Sequence, residues 1–98
     1  MSETAPETVR LDVWLWRARF FKTRALAAQA VTRRGVRITR FQQTRRTDKP
    51  GASIAIGDTL TFTRGSHIEI VEVAGLGHRR GPASEAQGLY VRRGDEDV

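Results

Sequence analysis

Lys22, Thr23 and Arg24 set two cations on either side of a hydroxyl, a grouping suited to holding an anion rather than to breaking a bond. Arg10 upstream and Arg33, Arg34 and Arg37 downstream extend it, and a later run adds Arg40, Arg45, Arg46 and Lys49. From Arg10 to Lys49 there are 12 basic and 2 acidic residues, and the remainder of the chain is slightly acidic. Charge concentrated in this way focuses a field on one face and predicts a polyanion partner. A merely solvated surface would intersperse acids and bases. The groupings that catalysis needs, a paired acid and base or a nucleophile beside a base, are not visible. Cysteines are absent, and His67 and His78 are too few and too far apart to suggest a zinc site. The expectation is a non-catalytic nucleic-acid binder without cofactor, metal or small-molecule substrate.

These residues need elements to position them, and 98 residues provide one small domain with no room for a separate catalytic one. Leu11, Trp14, Leu15, Ala18 and Phe21 recur at helical spacing, with Arg10, Arg17, Arg19 and Lys22 between them, which predicts a first helix anchored on one side and basic on the other. Thr23 is a good N-cap for a second helix over Arg24 to Arg34, and Gly35 suits its end. Lys22, Arg24 and the first amides of that helix would then face one phosphate, with two helix ends converging on it. Val36 and Ile38 alternate with Arg37 and Thr39 as in a half-buried strand. Residues 40–51 show neither period and end in Pro-Gly, so they read as an exposed basic loop that fits phosphate contact and plain solubility equally.

Further on, Ser53 to Ile56 alternates, Gly57-Asp58 is a hairpin-turn signal, and Thr59 to Thr63 is a strand with Leu60 and Phe62 on one face. HIEIVEV from His67 to Val73 buries Ile68, Ile70, Val71 or Val73 by register and leaves Glu69 and Glu72 wet. Residues 75–81 form a glycine-rich turn without phosphate-loop spacing. Pro82 opens a short helix with Ala83, Ala86 and Tyr90 on one side. The organisation expected is a disordered leader at 1–9, a binding domain at 10–74, a turn and short helix at 75–91, and a frayed tail at 92–98. No basic, apolar leader and no apolar run of the ~18 residues a membrane span needs is present, so a cytoplasmic protein is expected.

Four aromatics, Trp14, Trp16, Phe20 and Phe21, invite base stacking, but large aromatics are mostly buried. Trp14 and Phe21 share the core face, while Trp16 and Phe20 would pack under the C-terminal helix or form a partner surface. Asp12 is a favourable charge at a helix N-terminus or an orienter of Arg10 or Arg17.

The block RLDVWLWRARFFKTRALA, the Gly-Val-Arg-Ile strand, the Lys-Pro segment, the Ile-x-x-Gly-Asp turn with its following strand and RRGPASEA together resemble the bacterial fifteen-kilodalton heat-shock protein family, over roughly residues 10–90. That family is built on the RNA-binding domain first seen in small-subunit ribosomal protein four. The resemblance implies an α+β, alpha-L fold, two helices on a small bent, mostly antiparallel sheet. It also implies binding to structured ribosomal RNA on the large subunit, in rescue of stalled subunits carrying peptidyl-tRNA under heat stress. It places the RNA face on Arg10, on Lys22, Thr23 and Arg24, and on the turn around Arg33, Arg34 and Arg37. The sequence departs from the family where Thr39-Arg40 replaces an Asn-Gly turn, in a longer segment before Lys49-Pro50, in Gly35 directly preceding Val36, and in a short acidic end in place of a long basic tail. The free chain is expected to be a monomer. Two other readings stand beside this one. An RNA-binding accessory of an RNA-modifying enzyme is one; a helix-turn-helix DNA binder is the other, although the second helix offers only Gln29 as a base-reading side chain.

Overall fold

In the computed structural model, which describes residues 6–93, the second helix follows most directly from local chemistry. Thr23 is extended, and its hydroxyl oxygen accepts the Leu26 amide at 3.0 Å, so α2 (Arg24–Arg34) starts at a satisfied N-cap. Gly35 ends it at φ +77°, donating to the Val31 carbonyl. The first helix, α1 (Leu11–Arg17), is shorter than its apolar spacing suggests. Arg19 at φ +66° closes it in place of the usual glycine: the Arg19 amide donates to Trp16 and the Phe20 amide to Leu15, the paired bonds of a Schellman motif. The chain then crosses to α2 through a connector rather than a tight turn. Phe21 therefore reaches the core from that connector, where it is half-buried.

The sheet explains the remaining differences. Strands β2 (Val36–Arg40), β3 (Gln43–Thr47), β5 (Thr59–Arg64), β6 (His67–Val73) and β7 (Tyr90–Arg92) form one antiparallel sheet in the order β3-β2-β5-β6-β7. The short strands β1 (Val9–Arg10) and β4 (Ser53–Ile54) pair separately and brace the start of α1, whose first amides donate to Ala52 and Pro50. The expected basic loop at 40–51 is thus half strand, with Gln43 to Thr47 paired against β2. As the outermost strand, β3 keeps four of its five residues exposed, which is why no apolar alternation betrays it. Gly57-Asp58 is a turn but not a hairpin, because β4 pairs with β1 and not with β5. Val9 lies in β1 and Arg92 in β7, each within a stretch expected to be irregular; residues 1–5 and 94–98 of the expected leader and tail lie outside the described residues. The C-terminal helix α3 (Ala83–Ala86) is a single turn followed by a 3-10 turn at Gln87–Leu89, and Tyr90 belongs to β7.

Both helices pack on one face of the sheet. Leu11, Trp14, Leu15, Ala27 and Val31 from the helices meet Ile38, Leu60, Phe62, Val71 and Val73 from the strands. Phe20 joins them, with its ring centroid 5.1 Å from Phe62 and 4.7 Å from Tyr90, so it packs against the strands. Burial of Val71 and Val73 puts Ile68 outside, 70% exposed, and Glu69, expected to be wet, inside. Glu69 is tolerated there because Arg64 and Arg92 both hold its carboxylate. The glycine-rich segment 75–81 is lashed over α1: Trp14 Nε1 donates to Gly75 at 2.7 Å, Arg17 to Gly77 at 2.9 Å, Arg19 to Gly81 at 2.7 Å and Arg80 to Trp16 at 3.2 Å. Arg17 and Arg19, basic in the sequence, are therefore structural donors. No helix among the described residues is long and apolar enough to cross a membrane.

Candidate nucleic-acid interface

At the entry to α2, Asp12 in the first turn of α1 is buried and accepts a two-pronged bond from Arg10, at 3.0 and 3.1 Å. Arg24 reaches the same carboxylate at 3.5 Å. Of the two partners the sequence suggests for Asp12, Arg10 is the one it holds; Arg17 donates elsewhere. Burial pushes the Asp12 carboxyl up, but Arg10, Arg24 and the Val13 amide outweigh that and leave it below the usual carboxylate value. Two guanidiniums share one negative charge, and both side chains are about half exposed (53% and 52%), so the cluster keeps a net positive charge that faces solvent. Thr23 spends its oxygen on the cap, yet a hydroxyl that accepts one bond retains a proton to donate. Lys22 is exposed beside it.

A second cluster forms where α2 ends. Arg46 on β3 lies across Gly35, where a Cβ would sit 2.5 Å from its guanidinium, and reaches the Arg34 carbonyl at 3.4 Å. A cation at a helix C-terminus is favourably placed. Arg37 stands opposite Arg46 in the β2–β3 register, and with Arg34 the two line a shallow groove of about 320 Å³ shared with Thr61 and Thr63. Arg33 points from the last turn of α2 along its outer side with Gln29. Arg45 pairs with Ile38 and so leaves β3 on the opposite face from Arg46; Lys49 is exposed after the strand. Arg40 differs from all of these. Its guanidinium is committed to the buried Asp58 at 2.8 and 2.7 Å.

Eight of the residues singled out in the sequence thus fall at the two ends of α2, which at 11 residues separates them by roughly 16 Å, while Arg40, Arg45 and Lys49 lie outside both groups. Lys22, Thr23, Arg24 and Arg10 gather at one end, and Arg33, Arg34, Arg37 and Arg46 at the other, a layout that meets several phosphates along a backbone. Sequence reasoning does not single out Phe41, which is 92% exposed at the tip of the β2–β3 hairpin. Its only sequence signal is an aromatic inside a basic, amide-rich run.

Residues 9–38, from β1 through the start of β2, match the S4 domain family. The chain is 39% identical over 90 residues to heat shock protein 15 of Escherichia coli strain K12, covering 92% of this chain and 64% of that protein. It is 34% identical over 86 residues to a heat shock protein 15 homolog of Haemophilus influenzae, covering 88% of this chain and 62% of the homolog. The chain therefore spans less than two thirds of the length of these curated relatives. Among solved structures, heat shock protein 15 of Vibrio cholerae superposes with a TM-score of 0.72 at 37% identity, covering 89% of this chain and 83% of that one. That structure is described as trimeric, so the expectation of a free monomer finds no support in it.

Proposed function

Because the chain belongs to the heat shock protein 15 family and its N-terminal segment matches the S4 domain, we propose that it is a non-catalytic protein that binds structured ribosomal RNA along the α2–β2–β3 face. The observation that carries this is the pairing pattern of the cations. Lys22, Arg33, Arg34, Arg37, Arg45, Arg46 and Lys49 have no carboxylate partner among the described residues, whereas seven other arginines are paired with carboxylates and Arg17, Arg19 and Arg80 bond the carbonyls that lash residues 75–81 to α1. Phosphates are the natural counter-charge for such a face, and duplex RNA recognised through its backbone needs shape more than base contacts. The exposed side chains of α2, with Gln29 the one amide among them, suit backbone contact better than groove readout.

At the finer level, the proposed target is the large ribosomal subunit, and the proposed role is rescue of stalled subunits carrying peptidyl-tRNA under heat stress. One competition experiment tests both levels: the labelled chain is titrated with isolated large subunits, a folded ribosomal RNA fragment and duplex DNA. Large subunits should compete best and duplex DNA worst. Equal competition by duplex DNA would instead favour the helix-turn-helix reading, and equal competition by the naked fragment and the subunit would confine the protein to RNA without the ribosomal role.

A further inference from the structure

The β2–β3 hairpin turns through two residues, Phe41 and Gln42, flanked by the Arg40–Gln43 pair. Both have positive φ, +51° and +66°, the mark of the type I′ turn that Asn-Gly or Asp-Gly makes at least cost. A bulky residue at positive φ is an outlier, and such strain persists where surrounding structure imposes it and function uses it. Phe41 has no packing to offset the strain, since 92% of it is exposed. Neither turn chemistry nor the core accounts for it.

The base of the hairpin is held firmly. Arg40 grips Asp58 with two bonds, the Asp58 carboxylate also accepts the Ala55 amide at 2.9 Å, and the Thr39 and Thr44 hydroxyls bond across the strands at 2.7 Å. The tip is therefore presented in one direction, so an aromatic there loses little freedom on contact. Beside it stand Gln42 and Gln43, amides able to meet a base edge, and further down β3 Arg45 and Arg46 leave on opposite faces, able to meet phosphates on either side of the hairpin. An aromatic face, amide edges and flanking cations together are what an unpaired nucleotide requires. We propose that Phe41 stacks on an unpaired base, so that the hairpin tip reads a bulge, loop or junction within the RNA that the α2–β2–β3 face binds. A fully paired helix hides its base faces in its own stack and offers Phe41 nothing. The proposal rests on the RNA-binding reading, and it adds the feature of the RNA that is selected. The hairpin tip lies beyond the segment that matches the S4 domain.

The test uses the full chain and two probes, an RNA stem-loop with one bulged 2-aminopurine and the same stem fully paired. The wild type should prefer the bulged probe and change its fluorescence on binding. Phe41→Ala should lose roughly 5- to 150-fold in affinity for the bulged stem, falling to its affinity for the paired one, with the salt slope unchanged. Phe41→Trp should keep the preference, and Phe41→Leu, apolar but without a π face, should lose it. The double variant Phe41→Asn with Gln42→Gly should melt higher than the wild type while losing the preference, a pair of opposite shifts that a structural role for Phe41 would not produce. An unchanged bulged-to-paired ratio in Phe41→Ala overturns the proposal, as does full retention in Phe41→Leu, which would show an apolar contact to the RNA without stacking. If the wild type binds both probes equally with a salt-dependent affinity, the stacking fails while the RNA reading stands. If it binds neither, both fail.

Discussion

At one edge of the sheet, β3 and its neighbour β2 carry Arg37, Arg45 and Arg46, none with a carboxylate partner among the described residues. Toward the other edge, Arg64, Arg92 and Arg93 are all matched, the first two by Glu69 and the third by Glu72. Composition alone scores these regions alike, as strands with arginines. What separates them is β6, which runs between β5 and β7 and supplies both acids. The three cations toward that edge are neutralised by it, whereas on β2 and β3 Asp58 takes Arg40 alone and Arg37, Arg45 and Arg46 have no carboxylate among the described residues. Under the proposed function, pairing more than abundance selects the face that a polyanion would meet.

The largest effect should come from removing the unpaired set at the end of α2. Replacing Arg34, Arg37 and Arg46 together by Ala should weaken RNA binding by about 1–3 kcal/mol per side chain and flatten the logarithmic salt slope by roughly two to three units. Stability should change little because all three are exposed. Filter binding across a salt series measures both quantities, and an unchanged slope would remove this face from the interface.

Next in size is the matched edge. Glu69→Gln leaves two guanidiniums without their counter-charge, but at 42% and 48% side-chain exposure they can regain water, so a loss of about 1–2 kcal/mol in stability is expected. Urea unfolding should show it. RNA affinity should stay within about threefold, since the freed cations lie away from the interface. A strong gain for structured RNA would mean that both edges touch it.

How much of this was legible in the sequence depends on how local each cause is. Thr23, the span of α2 and Gly35 follow from capping chemistry within a few residues, and the structure repeats them. The end of α1 did not, because Arg19 takes the left-handed position that glycine usually signals and is held by Gly81, 62 residues away. Strand β3 was hidden since an edge strand with both faces wet has no alternation and its turn lacks Asn-Gly. In HIEIVEV the adjacent Ile70 and Val71 left the register open; it is settled by Leu60 facing Val71 and by the two arginines that make a buried Glu69 tolerable. The site residues were selected by charge, but their division between the two ends of α2 depends on tertiary partners, above all Asp12 and Gly35.

Asp12 gives the comparison a pH dependence. Its carboxyl is lowered in the folded state despite burial, by Arg10 first and then by Arg24. The stability this contributes is fully present above the unfolded value near 4 and is lost as pH falls through the folded one. Stability should thus decline below about pH 4, and Asp12→Asn should shrink that decline while lowering stability at neutral pH. Denaturant midpoints between acid and neutral pH check the sign; a variant with the wild-type acid limb would show that other carboxylates dominate it.

The smallest expected effect is the most discriminating control. Arg93 has a side chain 55% exposed and pairs with the 30% exposed Glu72, so Arg93→Ala should alter stability by no more than about 0.5 kcal/mol. Its backbone amide bond to Ile70, 2.8 Å, survives the substitution. Arg92 would be a poor choice for the same purpose, because it holds the buried Glu69 and lies 5.6 Å from the Tyr90 ring centroid, so its loss mixes folding with binding. Set beside Arg37→Ala, Arg93→Ala removes the same charge from the opposite edge of one sheet. If charge alone drove association, the two would weaken RNA binding equally. If unpaired charge at the α2–β2–β3 face drives it, Arg37→Ala flattens the salt slope by about one unit and Arg93→Ala leaves it unmoved. Equal slopes in the two variants would mean that Glu72 does not withhold Arg93 from the polyanion, and the distinction between matched and unmatched edges would collapse.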